Sequence, residues 1–144
     1  MTKPETNGVR AAMDWEARDS GKLFMGRHIL VVDDVTTSRM VIASLLEKLG
    51  CVVDVAVNGE DAVRKLRQKT YGLVLMDCHM PVMDGYAATR LIREERGGAP
   101  PIVALTANDA MEDRERAKAA GMNDYLSKPF IKPDLIAIMS RWLV

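Results

Sequence analysis

The chain has 144 residues, 48% hydrophobic and 28% charged, a balance that fits one globular domain and excludes a disordered or fibrous protein. Its 20 basic and 20 acidic residues cancel, so overall charge draws it neither to nucleic acid nor to an anionic membrane. No apolar run approaches a membrane span of ~18 residues, the opening MTKPETNG is no signal peptide, and Cys51 and Cys78 form no CxxC pair; a soluble, cytoplasmic protein is expected.

In chain order, residues 1–26 lack a sustained period and mix Gly8, Gly21 and Gly26 with charges. They read as a flexible N-terminal extension, in which VRAAMDWEAR has the spacing of a short helix carrying Val9, Met13 and Trp15. Residues 27–144 read as the folded domain. HILVV (28–32) is the first apolar run, followed by a helix whose face is marked by Val41, Leu45, Leu46 and Leu49 and which stops at Gly50. VVDVAV (52–57) comes next, then a helix capped by Asn58 with Val63 and Leu66 inward. After LVLM (73–76), Gly85 leads into YAATRLIREE, which breaks at Gly97-Gly98. IVAL (102–105) precedes AMEDRERAKAA, opened by Asn108 or Asp109 and ended by Gly121. DYLS (124–127) and a last helix, with Pro133 in its first turn and Leu135, Ile136, Ile138, Met139, Trp142 and Leu143 along it, complete the chain. Five short apolar runs alternating with five helices imply an α/β fold with a parallel sheet covered on both faces.

In such a sheet, ligands bind beyond the carboxyl ends of the strands. Asp33 and Asp34 follow the first run, Asp77 the third, Thr106 the fourth and Lys128 the fifth. The second run ends in nothing comparable, as expected of an edge strand. Each signal is weak alone, because an Asp pair after a strand more often opens a turn. Together they bring three carboxylates, a hydroxyl and an amine to one rim. Clustered carboxylates repel, and a hard divalent cation such as Mg²⁺ relieves that repulsion through oxygen ligands. With Lys128 as a mobile positive charge and Thr106 as a hydroxyl donor, the set suits phosphoryl transfer onto a carboxylate, with Asp77 as the nucleophile.

On these residues the chain resembles the response-regulator receiver (CheY-like) family. ILVVDD resembles its acidic pair, VLMDCHMPVMDG its phosphoacceptor strand and loop, IVALTA its switch-hydroxyl strand, and DYLSKPF its aromatic-switch strand with the Lys-Pro step. The likeness covers about residues 28–144 and is strongest to receivers of hybrid histidine kinases. It implies a doubly wound, flavodoxin-like sheet in the order 2-1-3-4-5. It also implies that Asp77 is phosphorylated and that Asp34, Asp77 and the His79 carbonyl ligate Mg²⁺, with Asp33 acting mainly through a bound water. Thr106 and Lys128 would hold phosphoryl oxygens, Tyr125 would be the rotating aromatic, and the Lys128-Pro129 bond would be cis. The His79 side chain would flank the attacking water together with Asn108; a solvent-facing histidine is the plainer reading. Ala87 stands where those receivers commonly carry Glu, and His79 where they commonly carry Gln.

The implied partners are a histidine kinase or histidine phosphotransfer protein and a downstream protein, with no nucleic acid, no membrane insertion and no enzyme activity on a separate substrate. The chain is read either as a free-standing regulator or as a receiver module of a hybrid histidine kinase. Two rivals rank below it. A flavodoxin-like FMN site would use TTS (36–38) as a phosphate loop, but Asp33 and Asp34 directly before it would repel phosphate. A haloacid-dehalogenase-type phosphatase would need a second acid two residues after Asp77, where His79 stands.

Overall fold

Three unbroken apolar runs, Ile29–Val32, Leu73–Met76 and Ile102–Leu105, in the first, third and fourth strands, set the architecture, because such strands are stable only between two helical layers. The structure is a computed structural model that describes residues 23–107 and 111–143. Asn108 and the segment carrying Trp15 lie outside those residues. The order is β1 (His28–Val32), α1 (Thr36–Lys48), β2 (Val52–Ala56), α2 (Gly59–Gln68), β3 (Leu73–Asp77), α3 (Gly85–Arg96), β4 (Ile102–Thr106), α4 (Met111–Ala120), β5 (Asp124–Ser127) and α5 (Lys132–Trp142). All strands are parallel, in the order β2-β1-β3-β4-β5, as expected.

Alternation along the strands divides the core in two. Leu30, Val32, Val74, Met76, Ile102 and Ala104 face the layer of α2, α3 and α4. Ile29, Val31, Leu73, Leu75, Val103 and Leu105 face α1 and α5, where Leu135, Ile138 and Met139 seal the other side. Phe24 joins this second core, and its N–H donates to Leu49 O at 2.9 Å.

Local signals place the helix ends. Asn58 Oδ1 accepts from the Asp61 N–H at 2.8 Å, and Asp84 Oδ1 accepts from the Ala87 N–H at 2.8 Å. Gly50 and Gly121 adopt φ of +92° and +105° where their helices stop, a backbone region costly to other residues. The Lys128–Pro129 bond is cis, as expected, and so is Ala99–Pro100, which nothing in the sequence reading marked.

Two readings are corrected. β3 and β4 each run one residue further than their apolar letters, so Asp77 and Thr106 are the last residues of their strands. The core face of α1 is also rotated: Ile42 and Leu46 are buried, whereas Val41 is 60% exposed. Five apolar residues in nine positions permit two overlapping stripes, and packing against the sheet selects the one through Ile42.

Truncation of these neighbours should separate the two stripes. Ile42→Ala should cost about 2–4 kcal/mol in urea unfolding, while Val41→Ala should stay within about 0.5 kcal/mol.

Candidate functional site

Parallel register brings the acidic residues together. Val32 pairs with Met76, so the next residues, Asp33 and Asp77, emerge side by side at the carboxyl end of the two central strands. Asp33, Asp34 and Asp77 each offer an oxygen, and these atoms lie within 4.8 Å of one another. Asp33 is fully buried, Asp77 nearly so, and Asp34 exposed. From β5's end, Lys128 Nζ reaches Asp33 Oδ2 at 3.1 Å and Asp77 Oδ2 at 3.7 Å. Lys128 thus bridges a carboxylate of β1's end and one of β3's end.

The Asp33 carboxylate is thoroughly held. Val35 N–H donates to Oδ1 at 2.9 Å and the Ser38 hydroxyl to Oδ2 at 2.6 Å, while Arg39 grips the Asp33 carbonyl at 2.8 Å. Burial pushes its pKa up, but the hydrogen bonds from Ser38, Val35 and Lys128 outweigh that and hold it below the usual carboxylate range. Asp77 is the opposite case. Burial first, then the charges of Asp33 and Asp34, raise it to about 6 against the opposing pull of Lys128. Among the described residues its one backbone donor is the His79 N–H, at 3.3 Å, too distant to offset this.

The loop after Asp77 folds back on itself. Gly85 N–H donates to Cys78 O at 3.0 Å, and a Cβ at Gly85 would sit 2.2 Å from the Asp77 carbonyl oxygen. Only glycine allows that closure. At the loop's crest Val82 has φ +72°, spanned by a Met83 N–H to Pro81 O bond of 2.9 Å.

The remaining expected residues fall around this centre. Thr106 is buried at β4's end, and its carbonyl accepts from the Lys128 N–H at 2.7 Å. The half-buried Tyr125 lies further along, with the Arg114 guanidinium 4.3 Å above its ring. His79 is exposed and sets its ring edge-on to Tyr86 at 5.8 Å. Sequence reasoning missed Ser38 and Arg39, although a hydroxyl and a guanidinium five and six residues after Asp33 fall in α1's first turn, where they can reach back. It also missed Tyr86, fully buried under the Arg116 guanidinium at 4.1 Å, because one aromatic in a helix reads as core. Beside Lys128, a cleft of about 510 Å³ runs along α1, lined by Thr37, Val41, Leu45, Pro129 and Phe130 among others.

The sequence model of the response regulator receiver domain matches residues 29–140. The chain belongs to this family. It is 47% identical to the receiver domain of the sensor histidine kinase PA1611 of Pseudomonas aeruginosa, a structure with magnesium coordinated in its active-site cleft. That match covers 82% of this chain and 98% of the other, with a TM-score of 0.77. The receiver of the Saccharomyces cerevisiae response regulator Ssk1, solved with the histidine phosphotransfer protein Ypd1, matches at 32% identity and a TM-score of 0.78, covering 85% and 92% of the two chains. Among curated relatives, hybrid signal transduction histidine kinase B of Dictyostelium discoideum is 41% identical over 125 residues, 78% of this chain and 6% of the kinase. The receiver thus corresponds to a small part of that protein. Among the described residues, no helix is long and apolar enough to cross a membrane.

The raised Asp77 carboxyl gives a stability test without metal. A folded-state pKa near 6 against 3.8 unfolded means that ionising Asp77 opposes folding, increasingly as pH rises from about 4 and fully above about 6. In EDTA, Asp77→Asn should therefore stabilise the chain by on the order of 3 kcal/mol at pH 7.5 and by less than about 1 kcal/mol at pH 4 in urea unfolding.

Proposed function

We propose that this receiver accepts a phosphoryl group on Asp77 from a phosphohistidine of a histidine kinase or histidine phosphotransfer protein. The observation that carries the reading is the Lys128 ammonium set between Asp33 and Asp77, beside a carboxylate that remains uncompensated. An Asp77 carboxylate oxygen attacks phosphorus, the bond from phosphorus to the imidazole nitrogen breaks, and the imidazole leaves with the electron pair. Lys128 pairs with a phosphoryl oxygen, and the Thr106 hydroxyl donates to another.

The oxygen-only donor set fits Mg²⁺, which Asp34, Asp77 and the His79 carbonyl would hold, with Asp33 acting mainly through a water. When bound, Mg²⁺ supplies positive charge against the negative charge of the phosphoryl oxygens. Asp33 is suited to an indirect role, because Ser38, Val35 and Lys128 already occupy its oxygens.

The cleft between α1 and the β5–α5 connection fits the donor's helix. Val41, 60% exposed, lines it, and Met40, 64% exposed, precedes it on α1, so two apolar side chains stand largely open on this side. The magnesium and phosphotransfer partner in the two neighbours' structures support these assignments.

Phosphorylation then biases the surface built by α4, β5 and α5. Thr106 turning toward the phosphoryl group leaves room that Tyr125 fills by turning inward, which changes the ring's stack with Arg114. His79 and Asn108 tune hydrolysis of the acyl phosphate. Residues 27–144 form the receiver unit, with 1–26 as an extension, and the domain carries and loses its own phosphoryl group rather than turning over a separate substrate. The same domain serves as a free-standing regulator or as a module of a hybrid kinase.

The test is intact mass after incubation with acetyl phosphate. Mg²⁺ should give a single labile phosphoryl adduct that is absent in Asp77→Asn and in EDTA. An adduct surviving both changes would place the acceptor elsewhere.

A further inference from the structure

Gly59 opens α2, which follows the edge strand β2, a strand that ends in none of the residues expected at the site. As one of the first residues of a helix, its N–H has no partner within α2. It donates instead to the Met83 carbonyl, at 2.9 Å, on the loop that follows Asp77. A Cβ at position 59 would lie 2.5 Å from that same oxygen, 2.9 Å from the Ala88 Cβ and 3.0 Å from the Asp84 oxygen. The start of α2 is seated directly on the phosphoacceptor loop. We propose that Gly59 is a positioning residue for Mg²⁺ and phosphoryl binding, acting through the Met83 carbonyl on the loop that carries His79. This rests on the receiver reading above.

The loop can yield only in its middle. Its far end is fixed because Asp84 caps α3 and Gly85 is closed onto Cys78 with no space at the Asp77 carbonyl. The α2 corner is equally fixed, with Asn58 Oδ1 accepting from Asp61 N–H and Asp61 Oδ2 accepting from Val57 N–H at 3.0 Å. Between these two anchors lies residue 82, a β-branched valine with φ +72° in a three-residue turn. Valine resists that conformation, so the turn persists only where its surroundings impose it. Beside the core packing of Met80 and Met83, the Gly59 N–H to Met83 bond is a hydrogen bond from outside the loop that does so. A side chain at position 59 therefore displaces residues 79–83, and with them the His79 carbonyl offered to the cation.

The experiment follows backbone amide shifts of the full chain by NMR as Mg²⁺ is added. In the wild type the His79 and Met80 amides should move with Mg²⁺, and the Gly59 amide should move in step with them. Gly59→Ala should weaken Mg²⁺ binding roughly tenfold while keeping the wild-type circular dichroism. Gly72→Ala is the control. Its Cβ would press on Leu143 at 3.2 Å, but at the amino end of β3, and its Mg²⁺ affinity should stay within about twofold of the wild type. Equal affinity in Gly59→Ala and the wild type, or an equal loss in Gly72→Ala, overturns the positioning role and leaves the receiver reading intact. If Gly59→Ala does not fold, the wild-type Gly59 amide decides: a stationary signal while His79 moves overturns the proposal. Wild-type amides that ignore Mg²⁺ altogether would overturn the receiver reading itself.

Discussion

The rim of this sheet is governed by like charges forced together. Three carboxylates within 4.8 Å face a single ammonium, Lys128. At that separation and an effective dielectric near 20, each pair of charges repels by on the order of 3 kcal/mol. A hydrogen bond to a charged group returns only about 1.5–3 kcal/mol. The protein spends its donors unevenly as a result. Ser38, the Val35 N–H and Lys128 converge on Asp33, which stays ionised in full burial. Asp77 has one long backbone contact and part of Lys128. The imbalance leaves Asp77 as the carboxylate in want of positive charge, which a divalent cation supplies.

The scaffold keeps this unfavourable arrangement in place. Five parallel strands buried between two helical layers leave the rim little freedom, and the register of β1 against β3 alone makes Asp33 and Asp77 neighbours. Flexibility is left to the connections. The loop from Cys78 to Asp84 closes on glycine at one end and carries an unfavourable valine conformation at its crest. On the other flank, α4 buries only Ala117 and Ala120 and meets the aromatic rings of Tyr86 and Tyr125 through two arginines. A helix held by so little buried apolar area resists displacement weakly.

Much of this was legible in the sequence because strand-end residues are set by chain order. Apolar runs ending in Asp33, Asp77, Thr106 and Lys128 located the rim, and the alternation of strands and helices implied a parallel sheet, whose order came from the family likeness. What escaped was whatever depends on contact between distant segments. The α1 face reads in sequence through Val41, but packing against the sheet selects the overlapping stripe through Ile42. Ser38 enters the sequence reading only within the TTS of the rival phosphate loop and Arg39 not at all, and their partner is visible only where both reach back from α1 to Asp33. Gly59 read as a helix start after Asn58; its seat against Met83 joins residues 24 positions apart, which no local pattern encodes.

The charge at this rim is left unbalanced, and a divalent cation completes it. Thermal unfolding of the native chain at pH 7.5 across a Mg²⁺ series tests this most directly. A cation that binds only the folded state raises stability by RT ln(1 + [Mg²⁺]/Kd), about 2.7 kcal/mol at a hundredfold excess over Kd. The midpoint should therefore climb steadily with Mg²⁺ and rise far less in Asp77→Asn. A midpoint independent of Mg²⁺ would contradict the account.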